Sequence, residues 1–155
     1  MPAKKAAKLR KPTYADADLA LKLYDLRREA EMRKARNFMI MNFQPQSAAD
    51  ALAVIQGFGT QENAWFRQVT GYWDLCSSMV NLGILHPDLF YASTCEPYLL
   101  TAKMEPYLTE IRKAMESPNF WLQIEKAVNS TEAGRARLAL MRKRLAGMRA
   151  RAAAK

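Results

Sequence analysis

A chain of 155 residues, half of them hydrophobic, has room for one packed core and too little length for two. Its net charge of +9 is uneven: residues 1–12 and 134–155 carry five and eight Lys or Arg with no acid, whereas the middle sets eleven Lys or Arg against fifteen Asp or Glu. No apolar run reaches the roughly eighteen residues of a membrane-spanning helix, and the start, MPAKKAAKLRKP, lacks the apolar stretch of a secretory signal.

A cytoplasmic protein with reduced thiols is therefore expected, Cys76 and Cys95 being the only cysteines. Period-2 alternation and Asn-Gly hairpin signals are absent, while helical spacing recurs throughout. The first helix is expected from about Tyr14 to Phe43, capped by Thr13 or Asp16, with Leu19, Leu23, Leu26 and Ala30 on one face. Its middle, RREAEMRKAR, is charged nearly all round, and the spacings Glu29 to Arg33 and Glu31 to Lys34 suit local ion pairs on an exposed helix. Its apolar end, FMIMNF, must return to a core or meet a partner.

Pro45 breaks that helix, Ser47 caps a short one with Asp50 three residues on, and Gly57 and Gly59 close it. Thr60 opens the central core helix, where Trp65, Val69, Tyr72, Cys76 and Met79 step by four and three, with Phe66, Trp73 and Val80 one position further round. Gly71, on its polar side, marks either a close backbone approach or a local weakness. Gly83 ends the helix in a left-handed turn. Pro87 and Asp88 start another short helix. A helix over Pro97–Met115 should break near Thr101–Lys103 because of Pro106, Ser117 and Pro118 open one carrying Phe120, Trp121, Ile124 and Val128, and Ser130 caps the last. The expected fold is all-α, a single irregular bundle of five to seven helices with a long first helix and basic terminal segments. Residues 1–12 are expected to be a disordered Ala/Lys-rich tail, 13–133 the bundle and 134–155 a basic amphipathic helix and tail.

In that last segment Leu138, Met141, Leu145 and Met148 step by three and four into a narrow stripe, while basic residues fill most other directions. Such a stripe can dock on its own bundle, on a second copy or at a membrane interface. Positive charge near a helix C-terminus also suits the macrodipole, with no ligand needed.

The stretches LYDLRREAEMRKARNFMIMNF, ENAWFRQVTGYWDLCSSMVNLGILHPDLF and SPNFWLQIEKAV resemble a bacterial family of small helical proteins known as a domain of unknown function. The resemblance covers roughly residues 19 to 130 and rests on an aromatic pair followed by an acid, Tyr72, Trp73 and Asp74, then Gly83 and the helix start His86 to Asp88. It implies an all-helical bacterial protein and supplies no catalytic residues. Some relatives begin with a membrane-spanning helix, from which this chain departs.

Chemistry-bearing residues are sparse. His86, the single histidine, sits at a helix entry with no nucleophile in its motif, so a local structural role is favoured over general-base work. Asp74, Asp88, Glu96 and Glu105 fall on separate elements without paired spacing, and Cys76 lies in the apolar seam, where a thiol behaves as a small hydrophobe. Two Cys nineteen apart and one His do not make a zinc site. Gly57 and Gly59 lack the strand and Lys of a phosphate loop. Catalytic residues, cofactor, metal and small-molecule ligand are all expected to be absent.

The expected role is a non-catalytic helical interaction module that self-associates through the stripe or through FMIMNF. The alternative is nonspecific binding of nucleic acid, or of an anionic membrane, by Lys4, Lys5, Lys8, Arg10, Lys11, Arg135, Arg137, Arg142, Lys143, Arg144, Arg149 and Arg151, with salt-sensitive affinity and no sequence readout. A site hidden in the bundle core would make an enzyme, the third and weakest reading.

Overall fold

Thr13 accepts from the Asp16 amide, and the Asp16 carboxylate reaches back to the Thr13 amide, a reciprocal cap that starts α1 (Tyr14–Leu26). In the computed structural model, which describes residues 9–154, this helix is followed by α2 (Ala30–Asn37), a π-helical turn (Phe38–Asn42), α3 (Ala48–Ile55), α4 (Gln61–Asn81), α5 (Pro87–Ala92) and α6 (Glu96–Met104). A 3-10 turn (Glu105–Tyr107) then leads into α7 (Leu108–Ala114), α8 (Leu122–Val128) and α9 (Glu132–Ala153). Among the described residues there is no strand, and no helix is long and apolar enough to cross a membrane.

The long first helix is not there. The chain turns at Arg27–Glu29, because the Glu29 carboxylate accepts from the amides of Glu31 (3.0 Å) and Met32 (2.8 Å) and becomes the cap of a new helix. These bonds, with a smaller contribution from the charge of Arg33, hold the Glu29 carboxyl below its usual range. The Glu31–Lys34 ion pair does form, at 2.5 Å. Most of FMIMNF returns to the core: Met39 and Phe43 are buried, whereas Met41 stays exposed.

Three other boundaries differ from expectation. Pro106 displaces the break to Glu105–Tyr107, one turn later. Ser117 to Trp121 is not helical; Trp121 sits at φ +66° so that its indole reaches Thr101 Oγ1 at 3.3 Å, and α8 starts only after it. Thr131, not Ser130, caps α9, the Ser130 hydroxyl donating instead to the Ala127 carbonyl.

The core is built around α4, which packs mainly on α8 and α2, while α6 packs on α9. Its buried line is Phe66, Val69, Trp73, Cys76 and Val80; Trp65, Tyr72 and Met79 lie at the edges of that face. The inward face is thus turned by one residue from the expected seam, since Phe66 and Trp73 reach the facing aromatics Phe43 (5.5 Å) and Phe90 (6.0 Å). Tyr72 still contributes at the edge, donating its hydroxyl to the Leu23 carbonyl (2.8 Å). Gly83, at φ +73°, makes the expected left-handed turn.

Candidate functional site

The α1–α2 turn, the first turn of α6 and the middle of α9 meet around Thr94, Cys95 and Glu96. The arginines come from the α1–α2 region and from α9, and α6 supplies the acid. Arg27, at the end of α1, lies over the Trp73 ring (5.7 Å) and donates to Thr94 Oγ1 (3.1 Å). Arg36 of α2 donates through Nε to Glu96 Oε2 (2.8 Å), and the Trp73 indole donates to Glu96 Oε1 (3.0 Å), so both carboxylate oxygens are taken. Arg137 of α9 lies over Tyr98 (5.5 Å) and donates to the carbonyls of Tyr91 and Thr94.

Between these elements lies a pocket of about 410 Å³ lined by Arg27, Arg36 and Arg144, by Cys95 and Glu96, and by an apolar wall that includes Leu99, Met141 and Met148. One acid faces three guanidiniums there, and that acid already has its partners. The Arg27 Nε is buried and bonds to nothing among the described residues. Cys95 is an exposed free thiol, whereas Cys76 is buried and its thiol is pushed up by that burial to about 11.

The residues expected to bind nucleic acid make several different contacts. Lys4, Lys5 and Lys8 lie outside the described residues. Arg10 is bonded twice to Asp16 (2.6 Å each) and also donates to the carbonyls of Gly83 and Ile84. Arg135 donates to the Asn129 carbonyl, Arg142 grips Glu105 with two bonds, and Arg149 donates to the Pro45 carbonyl. Lys11, Lys143, Arg144 and Arg151 are exposed. The apolar stripe divides as well. Leu138, Met141 and Leu145 are buried in the chain's own core and are not available to a partner, while Met148, 58% exposed, edges the arginine pocket.

His86 is used locally. Its backbone amide donates to Asp16 Oδ1 (2.9 Å) and its Nε2 lies 2.6 Å from the Arg10 carbonyl. A carbonyl only accepts, so Nε2 carries the proton. Arg10 first, then Thr13 and the His86 amide, hold the Asp16 carboxyl far below its usual range. His86 and Cys95 line separate pockets. Among the described residues no group of three or more His, Cys, Asp or Glu could hold a metal ion.

The family described as Domain of unknown function (DUF4760) matches residues 12–131. The chain belongs to that family. The match takes in α1 to α8 and stops before α9, so Arg144 and Met148 complete the pocket from outside the matched residues. No curated protein and no solved structure matches the chain.

Sequence reading missed this pocket. Arg27 and Arg36 lay inside a segment read as one exposed helix, and Arg144 belongs to a different element more than a hundred residues away. The one available signal was a surplus of arginine over acid in RREAEMRKAR.

Proposed function

We propose that the protein is a helical interaction module that works by binding rather than by catalysis, and that it recognises negative charge on its partner. One observation carries this reading: Arg27, Arg36 and Arg144 converge on a pocket whose single acid is already paired. A guanidinium is planar, always charged and weakly hydrated, which suits it to a carboxylate or phosphate in a partly desolvated setting. The basic ends add longer-range attraction of the same sign.

The test is a titration of the full chain with poly-glutamate at two salt concentrations, repeated with Arg27→Gln and Arg144→Gln, with circular dichroism to check each fold. Salt-sensitive binding that weakens roughly tenfold on loss of one guanidinium supports the reading. Binding untouched by either substitution sinks it. Duplex DNA, RNA and anionic liposomes serve as further arms: binding there that survives both substitutions but falls with salt assigns contact to the termini, a reading supported by the exposure of Lys143 and Arg151.

Self-association keeps support from a different surface. Tyr14, Leu21 and Tyr24 are 97%, 69% and 50% exposed on one side of α1. Sedimentation velocity over rising concentration, with Leu21→Asp as control, tests this: a monomer at every concentration removes it.

A further inference from the structure

We infer that the arginine pocket takes a single-chain amphiphilic anion, a carboxylate or phosphate head carrying an apolar chain. The inference rests on the proposed recognition of negative charge and adds the chemistry of the rest of the ligand. The lining has two halves. Arg27, Arg36 and Arg144 bring positive charge, and the buried Arg27 Nε has an unused donor. The rest of the lining is an apolar wall in which Leu99 and Met148 reach the surface while Met141 and Leu145 are nearly buried. A small hydrophilic anion would satisfy the guanidiniums and leave that wall wet. A neutral hydrocarbon would cover the wall and strip water from the guanidiniums without replacing it. A molecule with both parts satisfies both halves.

Size and shape point the same way. A pocket of about 410 Å³ has room for roughly a dozen water-sized groups at about 30 Å³ each, the heavy-atom count of a medium-length chain with a head group. Methionine side chains, unbranched and polarizable, adapt to a flexible chain better than branched ones. Met148 is the one residue of the C-terminal stripe that does not enter the core, and burial against such a chain would complete the stripe.

Cys95 lines the pocket and is an exposed thiol, so it reports occupancy. The experiment measures alkylation of the full chain by neutral iodoacetamide, located at Cys95 by peptide mass spectrometry. The probes are decanoate, decyl phosphate, decanol and inorganic phosphate, each below its aggregation concentration. Decanoate or decyl phosphate should slow the reaction saturably by roughly tenfold, and the one acting at lower concentration identifies the head group. Decanol and inorganic phosphate should leave the rate nearly unchanged. Arg144→Gln and Met148→Gln, both at exposed positions, should each raise the half-saturating concentration several-fold. Protection by inorganic phosphate equal to that by decanoate overturns the amphiphile and leaves charge recognition standing. Equal protection by decanol overturns both. If no probe protects, the amphiphile is overturned and the poly-glutamate titration decides the proposed function by itself.

Discussion

Lys103 is 1% exposed, and its ammonium donates to the carbonyls of Met39 (2.8 Å), Ile40 (2.8 Å) and Phe43 (2.9 Å). The π-helical turn leaves those carbonyls needing donors, and a lysine from α6 supplies them. Burial, and then the charge of Arg149, push the Lys103 pKa down to about 8. Between that value and the usual lysine range the unfolded chain holds a proton that the folded chain has released, so stability rises with pH over this window and the cost of the buried charge is full below it. Urea unfolding of the wild type and Lys103→Met from pH 7 to 10 should show the wild type gaining on the variant by on the order of 2–3 kcal/mol. A difference that stays flat with pH would rule this out. Nothing in the sequence marked Lys103, since lysine is among the residues least often buried.

Two glycines make opposite predictions at the same scale. At Gly71 a Cβ would meet nothing within 4 Å, which removes the close-approach reading and leaves an exposed helix interior. Gly71→Ala should therefore stabilise the protein by about 0.5–1 kcal/mol. At Gly134 a Cβ would lie 2.5 Å from the Val128 carbonyl oxygen, a backbone atom that cannot swing aside. Gly134→Ala should destabilise by about 1–3 kcal/mol. Denaturation midpoints of the two variants check both signs.

Among the elements, the break between α1 and α2 decides how the charged face of this region is used. A single helix through RREAEMRKAR would have kept Arg27 in line with its neighbours; the turn at Arg27–Glu29 instead places it against Thr94 and Trp73. That turn depends on Glu29 acting as a cap. Glu29→Ala should speed amide exchange at Glu31 and Met32 by several-fold, with little change in α4. Equal exchange in the variant would show that packing alone sets the turn. The break was illegible because every residue around it favours helix and a glutamate cap is uncommon next to Ser, Thr, Asp or Asn. The caps of the common type, Thr13, Ser47 and Thr60, were legible and lie where the sequence places them. The register of α4 was legible to within one residue: its periodicity gives a broad apolar face, and only the facing aromatics decide that Phe66 and Trp73 lie deeper than Trp65 and Tyr72.

At the scale of the whole molecule, α9 separates two accounts of the basic C-terminus. As a detachable electrostatic arm, its apolar residues would contribute little to folding. In the structure Leu138 is 0% exposed, Met141 and Leu145 are buried, and Arg137 ties α9 to the carbonyls before α6. The charges at 135, 137, 142 and 149 keep their sign while holding carbonyls and one carboxylate, so positive potential and structural bonding come from the same side chains. Leu138→Ala should cost about 2–5 kcal/mol, the range for a leucine removed from a filled core. Unfolding of that variant should remain a single transition, coincident by tryptophan fluorescence and far-UV circular dichroism, since the tryptophans lie in α4 and beside α8 and far from this site in sequence. A loss below about 0.5 kcal/mol, the range of surface substitutions, would make α9 an appendage. In that case its arginines could not be held rigidly enough to shape a pocket, and the proposed site would lose Arg144 and Met148.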